Sequence, residues 1–364
     1  MSLQKRIASS FPPPPYLSMP AAGIDIGASS VKTVVFNKHF GDCTVRSFSE
    51  NELAEGVVVD GGIEKPDALV EVLRSIRLRE RVRFAHASLP ERKAYLYQIF
   101  IPNEARGDLR AAVEFSLESN VPIQPKDVYF DYEVVRTVSN GVVVSVSVYA
   151  KRVVDDYYNV FHQAGIELRS FEIESQAVGR SILNEEDKTH TTIVVDFGRK
   201  TTRIAIYDHG VVGFAATIDV GGEKLTSAVM KHFSVSSEEA ETIKNEKGFL
   251  QSESNRDLYE ALMTTVSVLK DEISRHIVYW DTQNSEENIP HDPVDRMILI
   301  GGNANLKGLS EYLSRALNLP SRTGDVWQHA FSLDTYIPGM PRHRSLEYVT
   351  TVGLALRSCN PTSW

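Results

Sequence analysis

The sequence predicts an α/β protein in which one α/β domain is duplicated around a cleft and a small α+β subdomain is inserted into the first copy. A strand–turn–strand pattern with an aspartate and a glycine at the turn occurs twice, at residues 23–35 and 194–207. Strands alternate with helices in both halves, whereas residues 95–150 follow a different order. Because an internal repeat indicates duplicated structural units, the two halves are predicted to share one topology.

Composition and charge narrow the class of protein. The chain has 364 residues, of which 42% are hydrophobic and 24% charged, as in an ordinary globular protein. Its net charge is −9 and no long basic run occurs, so nucleic-acid binding is not expected. No apolar run approaches the roughly 18 residues of a membrane span, so direct membrane insertion is not expected. Cys43 and Cys359 lie far apart and indicate neither a disulfide framework nor a zinc site, which makes a reducing cytoplasm the expected compartment.

The first copy follows a proline-rich segment. Residues 1–20, with four consecutive prolines at 12–15, are predicted to form a flexible tail. Residues 23–26 and 31–36 are apolar segments joined by a small polar turn, which predicts a β-hairpin. Apolar residues at helical spacing predict a helix over 66–80, and a strand is predicted over 83–89.

The inserted module is predicted within residues 89–164. Its pattern predicts a strand over 95–101, a helix over 104–119, strands over 128–137 and 142–149, and a helix over 153–163. Asn140-Gly141 is a strong hairpin signal between the two later strands. This order of elements is typical of a small α+β unit.

The second copy repeats the opening pattern and then becomes helical. Residues 171–183 predict a strand followed by a helix, and 191–212 predict the second hairpin. Helices are predicted over 225–233, from Ser236 with Glu239 in capping-box position, and over 257–280. A buried strand over 297–300 leads into a Gly-Gly turn and a helix, and a last helix is predicted over 348–357.

The paired Asp-x-Gly turns predict a phosphate clamp. Gly27 and Gly198 allow close backbone approach, and the carboxylates of Asp25 and Asp196 are suited to hold a hydrated Mg²⁺. Either turn alone is weak evidence, because Asp and Gly are common in ordinary hairpins; the pair carries the prediction. Hydroxyl groups and lysines of the turns are candidate phosphate contacts: Ser29, Ser30, Lys32, Lys200, Thr201 and Thr202. A third element, Gly301-Gly302-Asn303, ends a strand where a base or ribose can approach.

These motifs resemble those of the actin-like ATPase superfamily. Residues 23–35 are similar to its phosphate-1 motif, 194–207 to phosphate-2 and 298–308 to its adenosine motif. Within the superfamily the chain resembles the PilM family of type IV pilus assembly, over about residues 21–357. The segments that carry this resemblance are ASLPE at 87–91, NVP at 120–122 with the segment 127–132 after it, VGGEKLT at 220–226 and EEAETIK at 238–244.

The resemblance implies an actin-like fold that binds ATP and Mg²⁺, with Gly221, Gly222, Glu241 and Lys244 beside the nucleotide. The implied subdomains are a first core of 21–88, 165–188 and 345–364, the PilM/FtsA-type insert of 89–164, a second core of 189–222 and 294–344, and a helical subdomain of 223–293. It also implies that the N-terminal cytoplasmic peptide of a PilN-like inner-membrane protein docks between the insert and the first core, a known mode of peptide capture.

Two departures bear on catalysis. Arg199 stands where many superfamily members have a further glycine, which makes close backbone approach to phosphate less certain. A residue that orients water at the γ-phosphate is required for hydrolysis, and the alignment leaves both Glu174 and Gln176 open; either residue could equally be an ordinary helix-start residue. Weak or absent ATPase activity is therefore expected.

The leading prediction is a cytoplasmic, ATP-binding scaffold that is held at the inner membrane by protein partners. Self-association is a further option. One alternative is an FtsA-like division protein, although the expected C-terminal amphipathic helix is not found before Trp364. A second is a small-molecule kinase of the same superfamily, for which no catalytic aspartate is evident beyond the two turn aspartates. A third is a scaffold that binds no nucleotide. The sequence does not distinguish a pilus from a secretion or DNA-uptake machine.

Overall fold

The structure is a computed structural model that describes residues 21–39, 42–286 and 288–359. The predicted tail at residues 1–20 and the five residues after Cys359 lie outside the described residues. The description below concerns the three described ranges.

The first core sheet has five strands in the order β10-β6-β1-β2-β3. Strands β1 and β2 form an antiparallel hairpin, and β6 and β10 continue the sheet in parallel on the other side of β1. The strands of this half, including the two-stranded ribbon β4-β5, are β1 Ala21–Ile26, β2 Ser30–His39, β3 Asp42–Glu52, β4 Val58–Val59, β5 Gly62–Ile63, β6 Phe84–Leu89 and β10 Glu167–Ile173.

The second core sheet repeats this arrangement strand for strand. Its order is β13-β12-β11-β14-β15, with β11 and β12 as the antiparallel hairpin and β14 and β15 added in parallel. The strands are β11 Thr191–Phe197, β12 Thr202–Asp208, β13 Val211–Ile218, β14 Arg296–Ile300 and β15 Ser321–Thr323. The predicted duplication is thus confirmed at the level of topology.

The insert contains a three-stranded antiparallel sheet in the order β7-β9-β8. Its strands are β7 Ala94–Pro102, β8 Val128–Val138 and β9 Gly141–Ala150. The central strand β9 has the buried side chains of Val144, Val146 and Val148, which pack with Val113 and Leu117 in a core separate from that of the two main sheets. The helix predicted from residue 104 begins as a 3₁₀ turn at Asn103–Asp108 and becomes α-helical only at Leu109.

The helices cover the sheets and connect the two halves. They are α1 Pro66–Glu80, α2 Leu109–Asn120, α3 Lys151–Gln163, α4 Glu174–Ile182, α5 Gly222–Phe233, α6 Ser237–Lys247, α7 Arg256–Glu286, α8 Leu309–Leu317, α9 Arg342–Ser345 and α10 Val349–Cys359. The predicted capping box of α6 is present, because the Ser236 side chain accepts from the Glu239 amide while the Glu239 side chain accepts from the Ser236 amide. No helix among the described residues is long and apolar enough to cross a lipid bilayer.

Helix α10 fixes the first core through two unusually close backbone contacts. A Cβ atom on Gly23 of β1 would lie 2.1 Å from the carbonyl oxygen of Thr351, and one on Gly353 would lie 1.8 Å from the carbonyl oxygen of Ala177 in α4. Glycine is required at both positions because only a residue without a side chain permits this approach. Helix α10 is therefore packed between β1 and α4, the helix that carries both candidate catalytic residues.

The cysteine prediction was wrong. Cys43 at the start of β3 and Cys359 at the end of α10 form a disulfide, with their Cα atoms 6.1 Å apart and both residues buried. The two residues are 316 positions apart in sequence, and the fold brings them together by packing the last helix against the first sheet. Sequence spacing carries no information on such a contact.

Strands β3, β13 and β15 and the ribbon β4-β5 were not predicted. In β3 many side chains are polar and partly exposed, and β15 has only three residues, so neither has a clear apolar alternation. The segment after β15, which we assigned to the second core, also reaches the first. Ser181 donates to the carbonyl oxygen of Val326, and Tyr336 donates to that of Val45.

Candidate nucleotide cleft

The two Asp-x-Gly turns have the same backbone geometry. The amide of Gly27 donates to the carbonyl oxygen of Ser30 at 2.9 Å, and the amide of Gly198 donates to that of Thr201 at 3.1 Å. The strand registers match as well: Asp25 is paired with Lys32, and Asp196 with Arg203. Each turn therefore places a basic residue directly across the hairpin from its aspartate.

The two turns face each other closely enough for their charges to interact. Burial raises the pKa of Asp196, while the positive charge of Lys32 opposes the rise and the negative charges of Asp25 and Glu347 add to it. Lys32 also joins the two halves, because its ammonium donates to the carbonyl oxygen of Glu347 at 3.0 Å and Glu347 lies beside Gly302. The structure thus brings Asp25, Lys32 and Asp196 to one cleft.

Arg203 is the principal residue that sequence reasoning missed. Its guanidinium contacts Asp196 Oδ2 through Nε at 3.1 Å and through Nη2, and its Nη1 forms an ion pair with Glu174 Oε2. The side chains of Asp196 and Glu174 are only 15% and 10% exposed. One arginine therefore pairs with the aspartate of the second turn and with a candidate catalytic glutamate. The sequence did contain a signal for this contact. Arg203 lies seven residues after Asp196, on the second strand of the hairpin, where strand pairing places it opposite the aspartate.

The two aspartates predicted to hold a hydrated Mg²⁺ have different surroundings. Asp25 accepts a hydrogen bond from Ser88 at 2.6 Å through Oδ1 and is otherwise partly exposed, which leaves it able to contact a hydrated ion. Asp196 Oδ2 is held by Arg203, and Asp196 Oδ1 packs against Gly301. A fixed cation thus already stands at Asp196 Oδ2, and the assignment of Asp196 as a carboxylate that holds a hydrated ion remains a prediction.

The predicted adenosine side is assembled around Asn303. Its amide donates to the carbonyl oxygens of Phe197 at 3.2 Å and Gly198 at 2.8 Å, which joins the Gly-Gly turn to the second phosphate turn. Gly301 has a φ of 85°, and a Cβ there would lie 2.4 Å from Asp196 Oδ1, so only glycine fits. A Cβ on Gly222 would lie 2.3 Å from the Asn303 side chain.

Helices α5 and α6 are connected to this turn by a buried lysine. Lys244 donates to Glu241 at 2.9 Å and to Thr226 at 3.1 Å, and its Nζ lies 3.5 Å from Asn303 Oδ1. Thr226 in turn donates to Glu241 at 2.7 Å. Glu241 and Lys244, predicted beside the nucleotide, thus lie against the Gly-Gly turn. The buried Lys244 is satisfied by protein groups, and the half-exposed Glu241 is more accessible to a ligand.

Several predicted phosphate contacts are used within the protein. The Ser30 hydroxyl donates to Glu50 at 2.9 Å, and the Thr202 hydroxyl donates to the carbonyl oxygen of Val220 at 2.6 Å inside the core. The Thr202 hydroxyl therefore positions the loop that leads to Gly221 and does not face the cleft, which corrects its predicted role. Ser29 and Lys200 are exposed, and Thr201 is partly exposed.

Arg199 does not obstruct the second turn. Its side chain is 81% exposed and pairs with Glu223 in the first turn of α5 at 2.9 Å. Close packing in this loop occurs at Gly221 instead, where a Cβ would lie 2.4 Å from the Arg199 carbonyl oxygen.

The two candidate catalytic residues at the start of α4 have different surroundings. Glu174 points to Arg203, whereas the Gln176 amide lies 3.5 Å from Glu133 of the insert. The helix start is itself held by a buried carboxylate: Glu91 accepts from the Ser175 amide at 3.1 Å and from its hydroxyl at 2.8 Å. Burial raises the pKa of Glu91, and the Ser175 hydrogen bonds and the charge of Arg203 oppose the rise.

Two equivalent α/β cores that meet at paired aspartate turns, with a glycine turn closing one side, define an actin-like ATPase fold. Similar solved structures agree. A PilM–PilN type IV pilus biogenesis complex matches with a TM-score of 0.74 at 20% identity, over 93% of this chain and 98% of the other. MreB5 of Spiroplasma citri bound to ADP matches with a TM-score of 0.53 at 13% identity, over 94% and 99%.

A family model described as type IV pilus assembly protein PilM matches residues 23–359. The chain therefore belongs to the PilM family. Among curated proteins, the cell division protein FtsA of Neisseria meningitidis is 22% identical over 227 residues, which cover 58% of this chain. The chain spans about half the length of that relative.

Proposed function

We propose that this protein is a nucleotide-binding scaffold for the inner-membrane assembly of a type IV pilus or a related secretion or DNA-uptake machine. The convergence of Asp25, Lys32 and the Gly301–Asn303 turn on one cleft, in a chain of the PilM family, is the observation that carries the proposal. MreB5, a solved structure with a similar fold, is bound to ADP. The protein would act in the cytoplasm, next to the membrane through its partners.

Slow or absent hydrolysis follows from the contacts of α4. Hydrolysis requires a side chain free to orient water at the γ-phosphate. Glu174 is paired with Arg203, and Gln176 lies toward Glu133 of the insert. Both groups are engaged by other side chains in this arrangement, so nucleotide binding is proposed to serve as a conformational signal.

A partner peptide is proposed to dock on the insert. The PilM–PilN complex pairs a similar fold with a PilN partner. In this chain the insert exposes aromatic side chains: Phe115 of α2 is 85% exposed and Tyr129 of β8 is about half exposed. We propose that this surface and the adjoining first core receive the N-terminal cytoplasmic peptide of a PilN-like protein, a mode in which apolar side chains anchor an otherwise extended segment.

Arg92 is a physical link between the proposed nucleotide cleft and the proposed peptide site on the insert. It lies in the 3₁₀ turn where the chain enters the insert, and it pairs with Asp60 of the first core and with Asp219 of the second. Asp219 stands two residues before Gly221, at the edge of the predicted nucleotide loop. A nucleotide that shifts this loop would therefore shift the base of the insert, which couples two binding equilibria.

Calorimetric titration with ATP and ADP tests the nucleotide proposal. We expect binding by the wild type and its loss in Asp25→Asn, because that carboxylate faces the phosphate side of the cleft. Glu71→Gln removes an exposed carboxylate of α1 and is the matched control that keeps binding. Absence of binding by the wild type would leave a nucleotide-free scaffold as the function.

Titration with the PilN-like peptide, with and without ADP, tests the coupling. We expect a different affinity in the two conditions and no difference in Arg92→Gln. Phe115→Ala is expected to weaken the peptide in both conditions. Equal affinities for wild-type protein with and without nucleotide would contradict the coupling but leave the docking site intact.

A further inference from the structure

The cation that occupies the second aspartate turn is part of the chain. Arg203 lies opposite Asp196 in the β11–β12 register and reaches back across the hairpin to it. The same guanidinium extends to Glu174 at the start of α4. The contacts thus connect three elements, β11, β12 and α4, through one positive charge.

The chemistry of arginine suits this position. A guanidinium has five donors in a planar fork and can serve two carboxylates at once, whereas a lysine ammonium is a compact point charge. Two largely buried carboxylates close to one cation would be strongly destabilised without it, because burial penalises each unpaired charge. Arg203 therefore supplies a fixed positive charge at the position where a divalent ion would otherwise bind.

We propose that the Arg203 guanidinium is the resident cation of the cleft at Asp196, so that Asp196 holds no divalent ion and any Mg²⁺ that accompanies the nucleotide is held at Asp25. The nucleotide part of this proposal rests on the proposed function, whereas the cation part concerns the chain alone. Lys32 adds a second fixed positive charge on the facing turn.

Metal response without nucleotide tests the cation part. Melting temperatures are measured in EDTA and in millimolar MgCl₂ for the wild type, Arg203→Gln and Arg256→Gln, the last removing an exposed arginine of α7 that is paired with Glu260. We expect the wild type and the control to melt alike in both buffers. Arg203→Gln should melt lower in EDTA and regain part of the loss in Mg²⁺, because the ion would then find the vacated carboxylates.

Two outcomes of this experiment would overturn the proposal. One is a wild type that Mg²⁺ stabilises as much as it stabilises Arg203→Gln, and the other is an Arg203→Gln protein whose loss no divalent ion restores. Should Arg203→Gln fail to fold, Mn²⁺ binding to the wild type by electron paramagnetic resonance decides. We expect the amount of bound Mn²⁺ to be the same in the wild type and in Asp196→Asn. Loss of a bound Mn²⁺ in Asp196→Asn would contradict the proposal.

Nucleotide affinity tests the remaining part. The change in the ADP dissociation constant between EDTA and Mg²⁺ should agree within about threefold for the wild type and Asp196→Asn, because Mg²⁺ usually binds through one or two carboxylates together with phosphates and Asp196 is not one of them in this proposal. An effect of Mg²⁺ on ADP affinity that Asp196→Asn abolishes would overturn this part. A wild type that binds no nucleotide in either buffer would refute the proposed function, and the melting experiment would still decide the cation assignment.

Discussion

The two aspartate hairpins share a strand register but use the residue opposite the aspartate differently. In the first hairpin Lys32 turns away from Asp25 to Glu347, and Asp25 is held by the Ser88 hydroxyl. In the second, Arg203 folds back onto Asp196 and adds Glu174. Duplication has thus preserved the backbone that positions the carboxylates, while the charges around them have diverged. The same sequence motif therefore has different side-chain contacts in the two halves.

The largest effect on stability is expected at Gly23, where β1 differs from β11, the equivalent strand of the second core. Gly23 of β1 is equivalent in register to Val194 of β11, and α10 lies against Gly23 with no room for a side chain. Gly23→Val should lower the free energy of unfolding by at least about 4 kcal/mol, as severe overpacking of a core does. Urea denaturation measures this, with Gly107→Ala, whose Cβ would meet nothing within 4 Å, as the control. A loss near 1 kcal/mol would mean that α10 moves aside readily.

The next effect compares the two basic residues. Arg203→Gln should cost about 3 kcal/mol of stability, because Asp196 and Glu174 would lose their shared partner. Lys32→Gln should cost about 1 kcal/mol or less, because its partners are more exposed. Chemical denaturation of both variants in one buffer gives the difference. Similar losses in the two variants would remove the distinction drawn above between the hairpins.

A pH dependence should distinguish the two sheets. His86 of β6 lies beside Gly23, at the position that Ile298 occupies beside Val194 in the second sheet. Burial, together with the positive charges of nearby arginines, lowers the pKa of His86 to about 4. Since the unfolded chain then binds a proton that the folded protein does not, stability is lost as pH falls from about 6.5 toward 4, by up to about 1.4 kcal/mol per pH unit.

Denaturation between pH 6.5 and 5 measures this slope, and His86→Ile should flatten it. The exposed His343 provides the control, since His343→Gln should keep the wild-type slope. An unchanged slope in His86→Ile would show that other groups cause the acid sensitivity.

The smallest effect on stability concerns the Ser88 hydroxyl, which donates a hydrogen bond to Asp25. Ser88→Ala removes the hydrogen bond to Asp25, which should cost about 1 kcal/mol. In the second sheet an isoleucine, Ile300, stands beside the aspartate, so a hydroxyl there is not a general requirement of the fold. Urea denaturation checks the value. A cost near that of Arg203→Gln would mean that Ser88 matters to the first turn as much as Arg203 matters to the second.

Local patterns predicted most of the fold, and contacts between distant segments account for what was missed. The hairpins, the helix at 66–80 and the Ser236 capping box depend on neighbouring residues, which periodicity and spacing report. The aspartate turns were located for the same reason. The contact of Arg203 with Glu174 and the pairing of Cys43 with Cys359 join elements far apart in sequence, and β3 has no clear apolar alternation. The donors and acceptors that decide which turn holds a metal ion are set by those distant contacts.

The disulfide lies at the end of the first core where the first and last described residues meet. Ala21 and Ser358 are hydrogen-bonded to each other there, and Cys43–Cys359 adds a covalent connection beside them. Asp25 lies near the opposite end of β1, toward the cleft. A pulling force applied between Ala21 and Cys359 would thus be borne by the first core, and the second core and the cleft would lie outside the path of the load.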